Sequence, residues 1–324
     1  MSVLIISFFG KVLEFFNFFS TSTLRGEALL DCIKTTLKRH CDIRWSSRRQ
    51  AVPVLQKNLP SVHKVLQHMT DRANNWTTDT ASGAMILLRQ IDYKFVCLLE
   101  MWSEVLVKLE CTNKSLQGKS AALEVASSLL SALANNIQHL HDEGVHKYAA
   151  KAKTVCNSMS IKSSFTVKRL RKVKKMAGEM AEDEAHLICA EKSFKLECFK
   201  VYDRLISEIK SRSDIYHTIS SDFSFLSGKA LNESSVSYFE KCAAEFGANY
   251  SKDIDTLELV NEVSTFKFQV KELLKNISTA SHLDILNVIS KYGLRHADPN
   301  IEIALRIFMT MPVSVDLVKA VLAN

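Results

Sequence analysis

Apolar residues in this chain recur every three to four positions over long stretches, and period-two alternation is almost absent. That pattern gives each of a series of helices one apolar stripe and leaves no half-buried strands to pair into a sheet. Punctuation is sparse as well. Only 9 Gly and 4 Pro occur in 324 residues, so tight turns are few. A mainly α fold follows, and the length is enough for one large or two ordinary domains. Periodicity and capping residues predict helices over Phe8 to Phe19, Leu24 to Leu37, Lys119 to Leu140, Val145 to Cys156, Phe194 to Ser211, Ser234 to Phe246 and Thr256 to Leu274. Another starts near Arg48, with Pro53 and Pro60 marking its early turns or a break. Thr80-Ala81-Ser82-Gly83 caps a further helix running toward Leu109. Cys41 to Ser47 reads as a connector, Ser158 to Asp183 as an exposed loop or hinge, and Ser211 to Ser224 as a weaker loop.

The N-terminal stretch is unusually rich in phenylalanine. Lys11 and Glu14 interrupt it, no basic segment leads it, and it is too short to span a bilayer. Phe8, Phe9, Val12, Leu13, Phe16 and Phe19 are predicted to form the buried face of a helix, with Phe15 and Phe18 covered from another side. The eight cysteines include no C-x-x-C pair, which argues for reduced, mostly buried thiols rather than a zinc finger. His139, His141 and His146 lack the i, i+4 spacing of a helical metal pair, so no metal and no cofactor is expected. No glycine-rich phosphate loop and no nucleophile motif is present.

The net charge of +7 permits a nucleic-acid partner without demonstrating one. Two dense groups of cations stand out: Arg44, Arg48 and Arg49 around Trp45, and the run Lys168, Arg169, Arg171, Lys172, Lys174 and Lys175. Trp45 offers a face on which a base can stack, beside cations for phosphates. The plainer reading of these residues is a plug at a junction in the core. The Lys168 to Lys175 run reads as a phosphate-binding or nuclear-import segment, or as a solvated helix face.

Two motifs carry a family resemblance. Cys41-Asp42-Ile43-Arg44-Trp45-Ser46-Ser47-Arg48 resembles the D-T-R-W-S-S-R signature of hAT-type DNA transposases. The stretch from Asn300 to Val315 resembles the start of their C-terminal dimerisation segment, P-N-I-x-I-A-L-R-I-x-L-T-x-P-V-S-V. Between them, Tyr202 to Arg212 is similar to the family's L-D-x-I-I-x-E-L-x-x-R-F, and Leu259 to Lys267 to a later helix of the same region. The nearest group includes the zinc-finger MYM-type proteins, whose zinc-binding modules have no counterpart here.

The resemblance implies a mainly α fold: the helical insertion domain of a hAT transposase, with incomplete remnants of an RNase H-like core at both ends. The implied divisions are 1–48 for the first remnant, 49–290 for the insertion domain and 291–324 for the start of the dimerisation segment. In such transposases the matching Trp stabilises a flipped base, and three carboxylates hold two metal ions for strand transfer. None of those carboxylates has a counterpart in this register; Asp316 lies close to one but would stand alone. The expectation is therefore a catalytically inactive, transposase-derived nuclear protein whose partners are DNA, a second copy or a related protein, with no membrane and no small-molecule substrate. Ile301, Ile303, Ala304, Ile307 and Phe308 are the implied dimerisation residues, expected to be short of partner surface. A piece of an active transposase and a helical adaptor without a DNA role are the alternatives.

Overall fold

The computed structural model describes residues 3–39, 45–116, 123–165 and 190–311. The side chains of Val3, Trp45, Ser46 and Glu124 lie outside this description. The described residues form twelve α-helices joined by short turns and 3-10 segments, with no strand among them. They divide into two compact units, the first drawn from the described residues within 3–114 and 132–209, the second from those within 115–131 and 210–311.

The first unit contains α1 (Val3–Ser20), α2 (Thr23–Ile33), α3 (Trp45–Thr70), α4 (Thr78–Gln90), α5 (Tyr93–Leu116) up to Lys114, and parts of α6 (Leu123–Ser158) and α7 (Ala190–Asp222). Its core is aromatic where α1 meets α5. Phe8 and Phe15 lie 5.7 and 5.8 Å from Phe95, and Phe9 lies 5.2 Å from Trp102. The buried stripe of α1 is Ile5, Phe8, Phe9, Val12, Phe15 and Phe19. Phe15 is thus central rather than peripheral, while Leu13 and Phe16 are only half-buried. The stripe keeps a strict i, i+3, i+4 course, which a run of adjacent phenylalanines conceals.

Three predicted boundaries move for identifiable reasons. Helix α2 ends at Ile33, because Lys34 takes the left-handed conformation and its N–H closes on Leu30 O at 2.8 Å. The helix expected from Thr80 to Leu109 is two. Thr77 caps α4 by accepting from Thr80 N, and Asp92 starts α5 by accepting from Phe95 N at 2.7 Å. By contrast, α3 runs through Pro53 and Pro60. Each proline removes one intrahelical bond, but Val52, Leu55, Leu59, Val62 and Leu66 are almost wholly buried beside them, and this packing outweighs the loss.

The helices expected at Lys119 to Leu140 and Val145 to Cys156 are one, α6. Gly144 does not break it, since the Tyr148 ring packs where a Cβ would stand.

The second unit comprises the start of α6, the end of α7, then α8 (Gly228–Glu233), α9 (Val236–Asn249), α10 (Thr256–Leu273), α11 (His282–Tyr292) and α12 (Pro299–Thr310). Phe223 anchors its core, 4.8 Å from Phe246 and 5.1 Å from Phe308. The loop expected at Ser211 to Ser224 is helical to Asp222. Its serines read as loop residues but serve packing. Ser213 Oγ donates to Ser127 O at 3.0 Å, Ser127 Oγ donates to Ser213 O at 3.1 Å, and Ser131 Oγ lies 2.8 Å from Ser213 Oγ. Small hydroxyls allow the two helices to approach while their polar atoms stay satisfied. Ser227, Ser235 and Asp255 cap α8, α9 and α10, and Ser281 with Asp284 forms a capping box on α11. Helix α12, which follows residue 290, packs within this core.

Candidate functional site

The first motif leads into α3, which begins at Trp45. Residues 41–44 and the whole Lys168 to Lys175 run lie outside the described residues, so Arg44 and the six cations of the run have no described position. Arg48 and Arg49 do, and both turn inward. Arg48 is only 5% exposed and sets its guanidinium 4.3 Å from the Phe9 ring centroid. Such a contact is worth about 0.5–2 kcal/mol and grows with desolvation. Arg49 Nη1 lies 3.0 Å from Glu110 Oε1, which also has Lys114 Nζ at 3.6 Å. Where the sequence suggests a cation for a phosphate, Arg48 packs its guanidinium on Phe9 and fastens α3 to α1. Arg49 is committed to α5 but keeps part of its side chain in solvent.

The implied dimerisation residues lie in the second unit. Ile301, Ala304 and Phe308 are buried in the core of the second unit, and Ile303 and Ile307 pack against it half-buried. Their partner surface is α10, α11 and the Phe223 cluster of the same chain. Periodicity marked this apolar face correctly but not what covers it.

The N-terminus of α12 is the most developed polar site among the described residues. Asp298 occupies the N-cap position without making a side-chain cap. The cap comes instead from α10, where Glu262 is buried. Its carboxylate accepts from Asn300 N at 3.2 Å, Asn300 Nδ2 at 2.6 Å and Ile301 N at 3.0 Å. Two otherwise orphaned helix donors are thereby satisfied, by an anion placed at the positive end of the helix dipole. Asn300 Oδ1 in turn accepts from Asp255 N at 2.9 Å, joining the start of α10 to the start of α12. Glu302, also buried, holds Arg295 and Arg306 at 3.0 and 2.7 Å.

No family model, no curated protein and no solved structure matches this chain. What the site can do must be read from its own chemistry. Asp298 is 2% exposed and its Oδ2 has no hydrogen-bond partner. Burial, and then the charge of Glu262, push its carboxyl up to about 6. Arg295, three residues before it in sequence, is paired with Glu302. A carboxyl whose pKa is higher folded than unfolded holds its proton more tightly when folded. Its contribution is complete below the ordinary value of 3.8 and is lost as pH rises through about 6. Asp298→Asn, which keeps the shape without the charge, is expected to stabilise the protein at neutral pH by about 1–3 kcal/mol. It should also flatten the fall in stability between about pH 4 and 6. Chemical denaturation across that range measures both, and a variant with the wild-type pH profile would overturn the assignment. Asp298 and Glu262 were missed from sequence. The available signal was a carboxylate, Glu262, set in the apolar stripe of Leu259, Val263 and Phe266.

Of the six described cysteines, Cys97, Cys156 and Cys198 are buried, Cys242 is half-buried, and Cys32 and Cys111 are exposed. Burial pushes the Cys97 and Cys198 thiols up to about 12 and Cys156 up to about 11, which keeps them protonated and poorly nucleophilic. His141 touches Asp142 Oδ1 at 2.8 Å and Asp203 Oδ1 at 3.5 Å, and packs on Phe199. Among the described residues no group of three or more His, Cys, Asp or Glu could hold a metal ion, and no single helix is long and apolar enough to cross a membrane.

Proposed function

We propose that this chain is a helical, hAT-transposase-derived protein that contacts DNA, and that it corresponds to the insertion region of those enzymes with parts of the adjoining core. The observation that carries the reading is the distribution of charge. Counted over the sequence, the first unit holds 30 Lys and Arg against 21 Asp and Glu, a net of +9, while the second holds 12 against 14, a net of −2. The excess positive charge of the chain thus belongs to the first unit, where the described residues alone hold 22 Lys and Arg against 15 Asp and Glu. Duplex DNA carries about one negative charge per 1.7 Å of axis, and a basic unit of this kind gains affinity by releasing its counterions.

Fluorescence anisotropy with hairpin, single-stranded and duplex DNA tests this. Affinity should fall steeply with added salt. Trp45→Ala should weaken binding to hairpin and single-stranded DNA by about 1–3 kcal/mol, the value of one stacked base, and leave duplex binding nearly unchanged. A flat salt dependence would remove DNA as the partner. The inward turn of Arg48 and Arg49 favours a second reading, in which the first motif seals a junction of the first unit. Equal binding of wild type and Trp45→Ala to every DNA would select it.

A further inference from the structure

Three described segments of the first unit meet in an aromatic knot. The Phe165 ring lies 4.9 Å from Tyr93, at the start of α5, and 4.9 Å from Phe194, in the first turns of α7. Tyr93 Oη donates to Ala149 O at 3.0 Å, which brings in the last part of α6. An exposed lysine sits close in sequence to each of these four residues: Lys94 beside Tyr93, Lys151 beyond Ala149, Lys162 before Phe165 and Lys192 before Phe194. The knot joins the start of α5, the last part of α6, the stretch after it and the start of α7, and each of these four segments carries an exposed lysine.

These four differ from the lysines around them. Lys114, Lys147, Lys195 and Lys200 each face a carboxylate within ion-pair distance. Lys94, Lys151, Lys162 and Lys192 form no ion pair among the described residues. Of the carboxylates close to these lysines, Asp92 accepts from Phe95 N, Glu191 pairs with Lys195 Nζ at 2.8 Å, and Glu104, which also feels the charge of Lys151, is held by Lys147 Nζ at 2.9 Å. What remains is a set of exposed lysines on segments that an aromatic cluster joins, rather than along one helix.

We infer that these segments of the first unit form a docking surface for the phosphate backbone of duplex DNA. The inference rests on the DNA-contact reading and gives it a location. An ammonium group is a point charge on a flexible stem, suited to phosphates at varied positions but not to base edges. The surface should bind without sequence preference, and its strength should come from counterion release.

The test compares the full chain with the variant K94Q, K151Q, K162Q and K192Q on a fluorescein-labelled duplex over a range of salt. Each phosphate contact contributes about 0.9 to the slope of log affinity against log salt, so the slope should shrink by about 2–4 and affinity at low salt should fall at least about tenfold. A matched variant of the second unit, K229Q, K241Q, K252Q and K275Q, should change affinity by less than about twofold by the same rule. All eight side chains are exposed, and unchanged melting curves will show that both variants fold. If wild type binds duplex but the first variant keeps its slope, the location is wrong and the DNA reading survives. If wild type shows no salt-dependent binding, both fall. Equal displacement of the duplex by poly-glutamate and by unlabelled DNA would assign the surface to acidic protein instead, and also overturns the proposal.

Discussion

Glu262→Ala is expected to cost about 3–5 kcal/mol, a large part of the stability of an ordinary domain. The side chain accepts three hydrogen bonds, two from the first turn of α12 and one from Asn300 Nδ2. Alanine leaves the two backbone donors buried without an acceptor, and each orphan costs about 1–3 kcal/mol, while Asn300 Nδ2 keeps Glu258 Oε2 at 3.4 Å. One effect opposes this. Removing the Glu262 charge relieves Asp298, whose carboxyl it pushes upward. Urea denaturation near pH 5 separates the two, because Asp298 is then largely protonated and has little repulsion left to lose. Glu262→Gln retains one amide oxygen as acceptor and should fall between wild type and alanine. Hydrogen exchange should show the amides of Asn300 and Ile301 losing protection first in the alanine variant. A stability within about 1 kcal/mol of wild type at pH 5 would mean that water replaces the carboxylate, and the cap would then carry little of the load assigned to it.

The sequence exposes some of this architecture directly and hides the rest for physical reasons. Helices α9 and α10 are visible because Ser235 and Asp255 stand immediately before clean apolar stripes. The α4–α5 break is hidden because Ile91 and Phe95 continue the apolar periodicity across it, while Asp92 acts only through one backbone hydrogen bond. The end of α7 is hidden by composition. Ser213 and Ser220 look like loop residues until α6 supplies partners for Ser213, and sequence spacing does not reveal a contact 86 residues away.

The candidate site divides in the same way. The Arg44-Trp45 motif and the Lys168 to Lys175 run can be read as letters. The direction of a guanidinium is a tertiary property, and Arg48 goes to Phe9 because α1 presents an aromatic face there. Likewise Ile301, Ala304 and Phe308 spell an apolar helix face, and only folding decides whether a second chain or the same chain covers it. The four lysines around Phe165 are scattered from residue 94 to 192, with no density that a sequence window would detect.

Gly228→Ala is expected to destabilise the second unit by at least about 3 kcal/mol, the upper end for overpacking, against the usual sense of that change in a helix. Alanine in place of glycine within a helix ordinarily gains about 1 kcal/mol, because it lowers the entropy of the unfolded chain and has higher helix propensity. Here Gly228 opens α8 and is buried against the 3-10 turn Ile277–Thr279. An added Cβ would overlap Ile277 O and stand 2.7 Å from Ala280 O. Both obstacles are backbone carbonyls, so no side-chain rotation relieves the clash; α8 or the turn must move. Movement is costly because α8 is held elsewhere. Lys271 Nζ donates to Asn232 O at 2.8 Å and Lys267 Nζ donates to Ser234 O, so lysines of α10 fasten the carbonyls at and just beyond its C-terminal end. A sharply lowered urea midpoint with an unchanged slope is the expected result. The second unit should melt first, seen as early loss of amide protection in α8 and α11. Stabilisation of about 1 kcal/mol, the ordinary helix gain, would show instead that the turn at Ile277 yields without cost and that α8 is only loosely docked.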